Sequence, residues 1–272
     1  MNGFSPRVAV IGAGTMGHGI AYVAAVAGCE VRITDARRAA LPQALDKIEA
    51  LLLGGVKRGK LAADEHAAVR KRISAEPQLR EAVADVDIVV EAIVEDLALK
   101  QRLFAEVERA APPGALLASN TSSLSIGQIA AGLTEPGRLV GMHFFNPVVV
   151  MKLVEVVTHG RESGPAAERA VEFARRLGKE PIVVRDSPGF ASSRLGVVLG
   201  LEAMRMLEQD VASAEDIDKA MELGYNHPMA IADYLHATLG KPQYEPPKIL
   251  REKVKKGELG KKSGKGFYTW SD

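Results

Sequence analysis

A single cysteine, Cys29, stands in 272 residues, so no disulfide can form within the chain and a hydrophobic core has to hold it together. Surplus charge is missing too. With 35 basic residues against 34 acidic ones the net charge is +1, and nothing global draws the chain to nucleic acid or to an anionic membrane. Any anionic ligand has to be met locally. No apolar run approaches the ~20 residues of a membrane-spanning helix, and the chain passes almost at once into VAVIG without a basic region, an apolar stretch and a cleavage site before it. The expected location is the cytoplasm, and no metal site is expected. What the chain does have is 47% hydrophobic and 25% charged residues, which suits a soluble globular protein of one large domain or two ordinary ones.

Residues 7–11 read as a short buried strand, followed by the turn Gly12-Ala13-Gly14 and an Ala-rich helical stretch over 15–27. Residues 30–34 read as a second strand ending at Asp35. A β-α-β order within about thirty residues implies a right-handed crossover and parallel strands. Further strands are predicted at 87–91, 115–119, 139–143, 153–157 and 181–184, with helices between them at 100–110 and 166–177. This alternation predicts a doubly wound α/β domain over residues 1–185.

The pattern changes after Asp186-Ser187-Pro188-Gly189. Apolar residues recur at helical spacing over 190–209, Ser213 reads as an N-cap with Asp216 at the third helical position, and that helix is predicted to run to about Gly224. A smaller all-α domain over 186–272 follows. Its first helix, rich in Gly, Ala, Leu and Met, has the composition to pack against a second copy, which suggests a homodimer. The final GELGKKSGKGFYTW resembles a flexible basic tail, yet Phe267, Tyr268 and Trp270 favour an ordered segment returning to the domain interface.

Gly12, Gly14 and Gly17 form G-x-G-x-x-G between a strand and a helix, the context in which that pattern carries weight. The first glycine permits a tight turn, the second lets backbone approach a pyrophosphate, and the third permits close helix packing. Free N–H groups and a partial positive charge at the helix start would bind that pyrophosphate. Asp35 at the end of the second strand suits the two ribose hydroxyls of NAD and would repel the 2′-phosphate of NADP, so NAD is the expected cofactor. Arg37 and Arg38 nearby are read as solvated.

The stretch HFFNPVVVMKLVEVV from His143 places a histidine and Glu155 within apolar runs. Phe144, Phe145, Val148, Val149, Val150, Leu153, Val154 and Val156 are all expected in the core, so the imidazole and carboxylate have to be paired or carried to its edge. A histidine held by a carboxylate is a general acid/base arrangement. The other reading is a core histidine bonded to a backbone carbonyl and an unrelated surface glutamate.

Taken together, Gly12 to Gly17, EAIVEDLALK from Glu91, SNTSSL from Ser119, HFFNPV from His143, DSPGF from Asp186 and the closing GKKSGKGFY resemble the L-3-hydroxyacyl-CoA dehydrogenase family, in particular its short bacterial 3-hydroxybutyryl-CoA members. The similarity runs from Val8 to Trp270. It implies a Rossmann-type sheet and NAD-dependent interconversion of a 3-hydroxyacyl-CoA and its 3-ketoacyl-CoA. On this resemblance His143 is the base for the 3-hydroxyl proton, Glu155 orients it, and Ser122 bonds both cofactor and substrate oxygen. Glu95, Lys100, Asn120 and Lys262 correspond to cofactor contacts, and Lys57 with Arg58 to the region meeting the phosphates of coenzyme A. Taken singly, Glu95 and Lys100 read as an ordinary solvated pair, and Ser122 as a cap.

Two departures from the family pattern stand out. Ser193 occupies the place of an active-site asparagine, with a shorter reach and no amide carbonyl. After Met229 the chain goes straight to Ala230-Ile231-Ala232-Asp233-Tyr234, where the family carries a Gly-Pro-rich segment. A dehydrogenase of a free hydroxy acid and a catalytically silent NAD- or acyl-CoA-binding protein are the competing readings.

Overall fold

The computed structural model describes residues 5–221, 236–238, 240 and 242–270. It divides into two compact units, Met1–Asp186 and Ser187–Asp272.

In the first unit the chain runs β1 (Arg7–Ile11), α1 (Thr15–Val26), β2 (Glu30–Thr34), α2 (Ala40–Lys57), α3 (Glu65–Lys71), β3 (Ile73–Ala75), α4 (Leu79–Val83), β4 (Ile88–Glu91), α5 (Leu97–Ala110), β5 (Leu116–Ser119), α6 (Ile126–Ala130), β6 (Leu139–Phe144), β7 (Leu153–Thr158), α7 (Gly164–Arg176) and β8 (Glu180–Arg185). All eight strands form one sheet in the order β3-β2-β1-β4-β5-β6-β7-β8. Strands β4, β5 and β6 are buried at every position, as expected of strands covered on both faces. Ile48 and Leu52 on α2, Ile20 on α1 and Ile33 on β2 meet in the core beside them. Each such side chain contributes about 1.5–3 kcal/mol when fully buried.

Within this sheet β6 and β7 pair antiparallel, and the other neighbouring strands pair parallel. Residues 145–152 are too few for the crossover that a parallel neighbour needs, so the chain turns back directly. The turn also corrects an expectation about the core. Val148 is buried, but Val150 is exposed and Phe145 and Val149 are only partly covered, because a connection between strands runs over the surface. Val148 packs where Gly19 of α1 leaves room; a β-carbon on Gly19 would lie 2.9 Å from it.

The second unit contains α8 (Ser192–Glu208), α9 (Ala214–Met221) and α10 (Lys248–Lys255). Ser213 Oγ accepts from the Asp216 N–H at 3.1 Å and donates to Asp216 Oδ2 at 2.7 Å, closing the predicted cap. The rest of that helix toward Gly224, and the junction after Met229, lie outside the described residues. Beyond α10 the chain is tied down: Tyr268 donates to Asp218 on α9 at 2.5 Å, and Lys253 lies 5.6 Å over the Phe267 ring. Among the described residues no helix is long and apolar enough to cross a membrane, and no group of three metal-ligating side chains forms.

Candidate active site

Strand order reverses at β1, with β2 and β3 on one side and β4 on the other. In an open sheet of this type the ligand crevice lies outside the carboxyl ends of the strands at that reversal. The glycines of the first turn meet three different demands there. Gly12 has φ 108°, and a β-carbon on it would stand 2.5 Å from the Ala92 carbonyl oxygen just past β4. A β-carbon on Gly17 would collide with the Gly12 carbonyl oxygen, whereas one on Gly14 would meet nothing within 4 Å. The open face at Gly14, at the start of α1, is where a pyrophosphate fits.

Asp35 follows β2. Its Oδ2 accepts from the Ala13 N–H and its Oδ1 from the Arg37 N–H, both at 2.8 Å. The carboxylate therefore braces the glycine turn, a use that the sequence does not reveal. The Arg37 side chain is 81% exposed but not purely solvated, since its Nε stands 3.7 Å from Asp35 Oδ1. An open backbone face, a helix start and a held carboxylate together fit a dinucleotide.

At the ends of β4 and β5 lies a charge network that is not legible as such in the sequence. Glu91, the last residue of β4, is 0% exposed, and Lys100 on α5 is 1% exposed. Lys100 Nζ donates to Glu91 Oε1 at 2.5 Å and stands 3.4 Å from Glu95 Oε2. Glu91 also accepts from the Ile93 N–H at 2.7 Å and from Ser119 Oγ at 2.6 Å. Glu95 Oε1 accepts from Thr121 Oγ1 and the Ser122 N–H, each at 2.8 Å, and from Ser122 Oγ at 3.3 Å. Lys100 is thus no solvated partner of Glu95 but a core ammonium between two carboxylates. The available signal was Glu91 itself, a carboxylate closing the apolar run IVV with a lysine nine positions on.

The strand register brings His143 and Glu155 together. They are direct partners across the antiparallel pair β6 and β7, and His143 Nδ1 lies 2.7 Å from Glu155 Oε2. Both side chains are buried, and the imidazole packs against Phe145 with ring centroids 4.4 Å apart. An ionised carboxylate only accepts, so this contact favours the tautomer with the proton on Nδ1. Asn120 lies one residue past β5, and its Oδ1 accepts from the Phe144 N–H at 2.9 Å, fastening the loop that leads to Ser122 against the end of β6.

The remaining predicted residues are dispersed. Lys57 ends α2 and Arg58 follows it, both exposed, with the Arg58 guanidinium folded back over Gly54. Burial pushes the nearby Tyr22 hydroxyl above its ordinary range while the Arg58 charge pulls it back. Ser193 is buried on α8, and Lys262 lies exposed in a short 3-10 turn, Lys261–Ser263; both belong to the second unit. One residue that the sequence did not single out supports the His143 loop. Lys179, buried just before β8, donates to the Met151 carbonyl at 2.9 Å and also to that of Val148. Burial holds its ammonium below the usual lysine range.

A doubly wound sheet with a glycine turn at the reversal and a carboxylate after the second strand defines a class, the NAD-binding oxidoreductases of Rossmann type. Within that class the chain belongs to the 3-hydroxyacyl-CoA dehydrogenase family: the NAD-binding domain of that family matches residues 7–187 and its C-terminal domain residues 189–270. The reaction is the NAD-dependent oxidation of a 3-hydroxyacyl-CoA. Among its relatives is a probable 3-hydroxybutyryl-CoA dehydrogenase of Bacillus subtilis, 42% identical and covering 98% of each chain. The aligned span of 281 positions exceeds the 272 residues here, so that relative has residues with no counterpart in this chain. The crystal structure of FadB2 from Mycobacterium tuberculosis matches with a TM-score of 0.90 at 39% identity, covering 98% of this chain and 100% of that one. That of (S)-3-hydroxybutyryl-CoA dehydrogenase PaaH1 from Ralstonia eutropha matches with a TM-score of 0.91 at 35% identity, covering 99% and 100%.

Proposed function

We propose that this chain is a 3-hydroxybutyryl-CoA dehydrogenase in which His143 and Glu155 handle the hydroxyl proton of a short acyl-CoA. The observation that carries this reading is the buried 2.7 Å contact between His143 Nδ1 and Glu155 Oε2. Glu155 fixes the tautomer and stabilises the imidazolium, and the imidazole takes the 3-hydroxyl proton during oxidation and returns it during reduction. NAD, when bound, supplies the hydride acceptor.

The other residues act around that pair. The turn shaped by Gly12 and Gly17 receives the pyrophosphate at its open face on Gly14, and Asp35 receives the ribose. Glu95, Asn120 and Lys262 complete the cofactor contacts, and Lys100, expected among them from the sequence, is buried and acts through Glu95. Ser122 meets cofactor and substrate oxygen. The exposed cations Lys57 and Arg58 suit the phosphates of coenzyme A. Ser193 supplies a hydroxyl donor in place of an amide. In this reading residues 1–185 bind NAD and residues 186–272 serve substrate and dimer contacts. A homodimer suits α8, which exposes Leu195 at 68% and Leu199 at 49%, four residues apart on one face. The expected location is cytoplasmic.

NADH oxidation measured with acetoacetyl-CoA and with a panel of free 3-keto acids tests the substrate class. Turnover with the thioester is expected, and turnover with free acids alone would replace it. His143→Ala is expected to lower kcat by roughly 10²- to 10⁴-fold with NADH binding retained. An unchanged kcat removes His143 from the mechanism. A parent that binds NADH tightly but turns over nothing would favour a silent binding protein.

A further inference from the structure

Between the glycine turn and Ser122 lies the charge cluster of Glu91, Lys100 and Glu95. Glu91 closes β4 at the point where strand order reverses, and the next residue, Ala92, donates to the Ile11 carbonyl at 2.7 Å beside the Gly12 turn. Lys100 bridges Glu91 and Glu95, and Glu95 in turn holds Ser122. Two carboxylates and one ammonium leave this cluster with a net charge of −1. Glu91 and Lys100 are sealed from solvent, so salt and water screen the inner charge far less than a surface one.

The two forms of the cofactor differ by one charge at the reacting ring. Oxidised nicotinamide is a cation and reduced nicotinamide is neutral. We propose that Glu91 is a positioning residue that sets the preference between them: by holding Lys100 between two carboxylates it keeps a negative potential toward the nicotinamide, favouring NAD+ over NADH. This rests on the reading above that the nicotinamide end of the cofactor meets Glu95 and Ser122. A residue that only pins the Ile93 N–H and Ser119 would affect both forms alike. One unit charge acting across about 10 Å at an effective dielectric of about 20 alters their relative affinity roughly 10-fold.

The test compares dissociation constants for NAD+ and NADH in the intact parent, in Glu91→Gln, and in Glu91→Gln/Lys100→Met. Glu91→Gln takes the cluster to zero charge, so the ratio Kd(NAD+)/Kd(NADH) should rise roughly 3- to 20-fold. The double variant restores −1 on Glu95 and should bring the ratio back toward the parent, even where both constants move. A ratio within twofold of the parent in Glu91→Gln, with both constants shifted together, would leave Glu91 a structural residue and overturn the proposal. Should that variant fail to fold, Glu95→Gln serves. Glu95 is 40% exposed, and its neutralisation should raise the ratio in the same direction by a smaller factor; no change in ratio overturns the charge account. Failure of the parent to bind either cofactor form instead refutes the dinucleotide reading beneath it.

Discussion

Two three-membered charge clusters of this chain are inversions of each other. In the first unit Lys100 stands between Glu91 and Glu95; in the second Glu258 stands between Lys253 and Lys265, with oxygens 2.7 Å and 2.9 Å from their ammonium nitrogens. The distances are alike and the surroundings are not. Glu91 at the carboxyl end of β4 and Lys100 on α5 lie in the core, whereas Lys253 on α10 and Glu258 and Lys265 on the glycine-rich loop after it are at least partly exposed. Two charges 4 Å apart interact by about 1 kcal/mol in water and about 4 kcal/mol at an effective dielectric of 20. Burial, not contact geometry, therefore decides which cluster has a large effect on stability and ligand charge. The surface cluster shapes chain instead: Lys253 also donates to the Gly266 carbonyl at 2.8 Å, closing the loop that presents Lys262.

The largest expected effect comes from breaking the buried cluster on one side only. Lys100→Met leaves the Glu91 carboxylate in the core without its cation and is expected to cost about 3–5 kcal/mol, read from the urea midpoint. Adding Glu91→Gln should recover most of that loss, because a neutral pair has little desolvation cost. A double variant as unstable as the single one would mean that packing, and not charge, governs the site. Next in size is the other buried pair. Glu155→Gln keeps the shape of the side chain but removes the charge that stabilises the imidazolium, so kcat should fall roughly 10- to 1,000-fold, less than loss of His143 itself would cost. Equal kcat in Glu155→Gln and the parent would reduce Glu155 to a packing partner.

The same contrast explains what can be read without coordinates. The β1-α1-β2 unit announces itself because local signals coincide: an apolar run, three glycines at fixed spacing, an Ala-rich stretch and a terminal Asp35. Strands β4 to β8 also appear as apolar runs, with ends off by a residue or so. Strand β3 does not, since three residues carry no usable period, although Leu41, Ala44, Ile48 and Leu52 of α2 do recur at helical spacing. Site residues divide in the same way. His143 and Glu155 are conspicuous as polar groups in apolar runs, but their meeting depends on antiparallel register, which the sequence leaves open. Lys100 reads as solvated because its partner Glu91 is delivered by a strand nine residues earlier. Nor does Lys179 suggest a core position until the loop carbonyls of Val148 and Met151 converge on it.

The smallest expected effect lies in the surface cluster and sharpens the comparison through pH. Hydrogen bonds from Lys253 and then Lys265 hold the Glu258 carboxyl down to about 2. A carboxyl lowered on folding stabilises the fold above its ordinary value near 4.5, and that contribution is lost as pH falls toward 2. Tyr268 works in the opposite direction. Its hydrogen bond to Asp218, aided by burial, pushes the hydroxyl up to about 12, so its contribution is full below 10 and is lost as pH rises through 12. Trp270, the only tryptophan, packs edge-on against Tyr268 at 5.9 Å and reports on this segment. Its fluorescence should stay flat between pH 4.5 and 10 and change outside that window, ahead of the far-UV signal on the alkaline side. In 1 M salt, where the Debye length is about 3 Å, the acid limb should move up toward 4.5. An acid limb already at 4.5 in low salt would mean that the clamp on Glu258 does not form in solution, and the two clusters would then differ in existence and not only in dielectric.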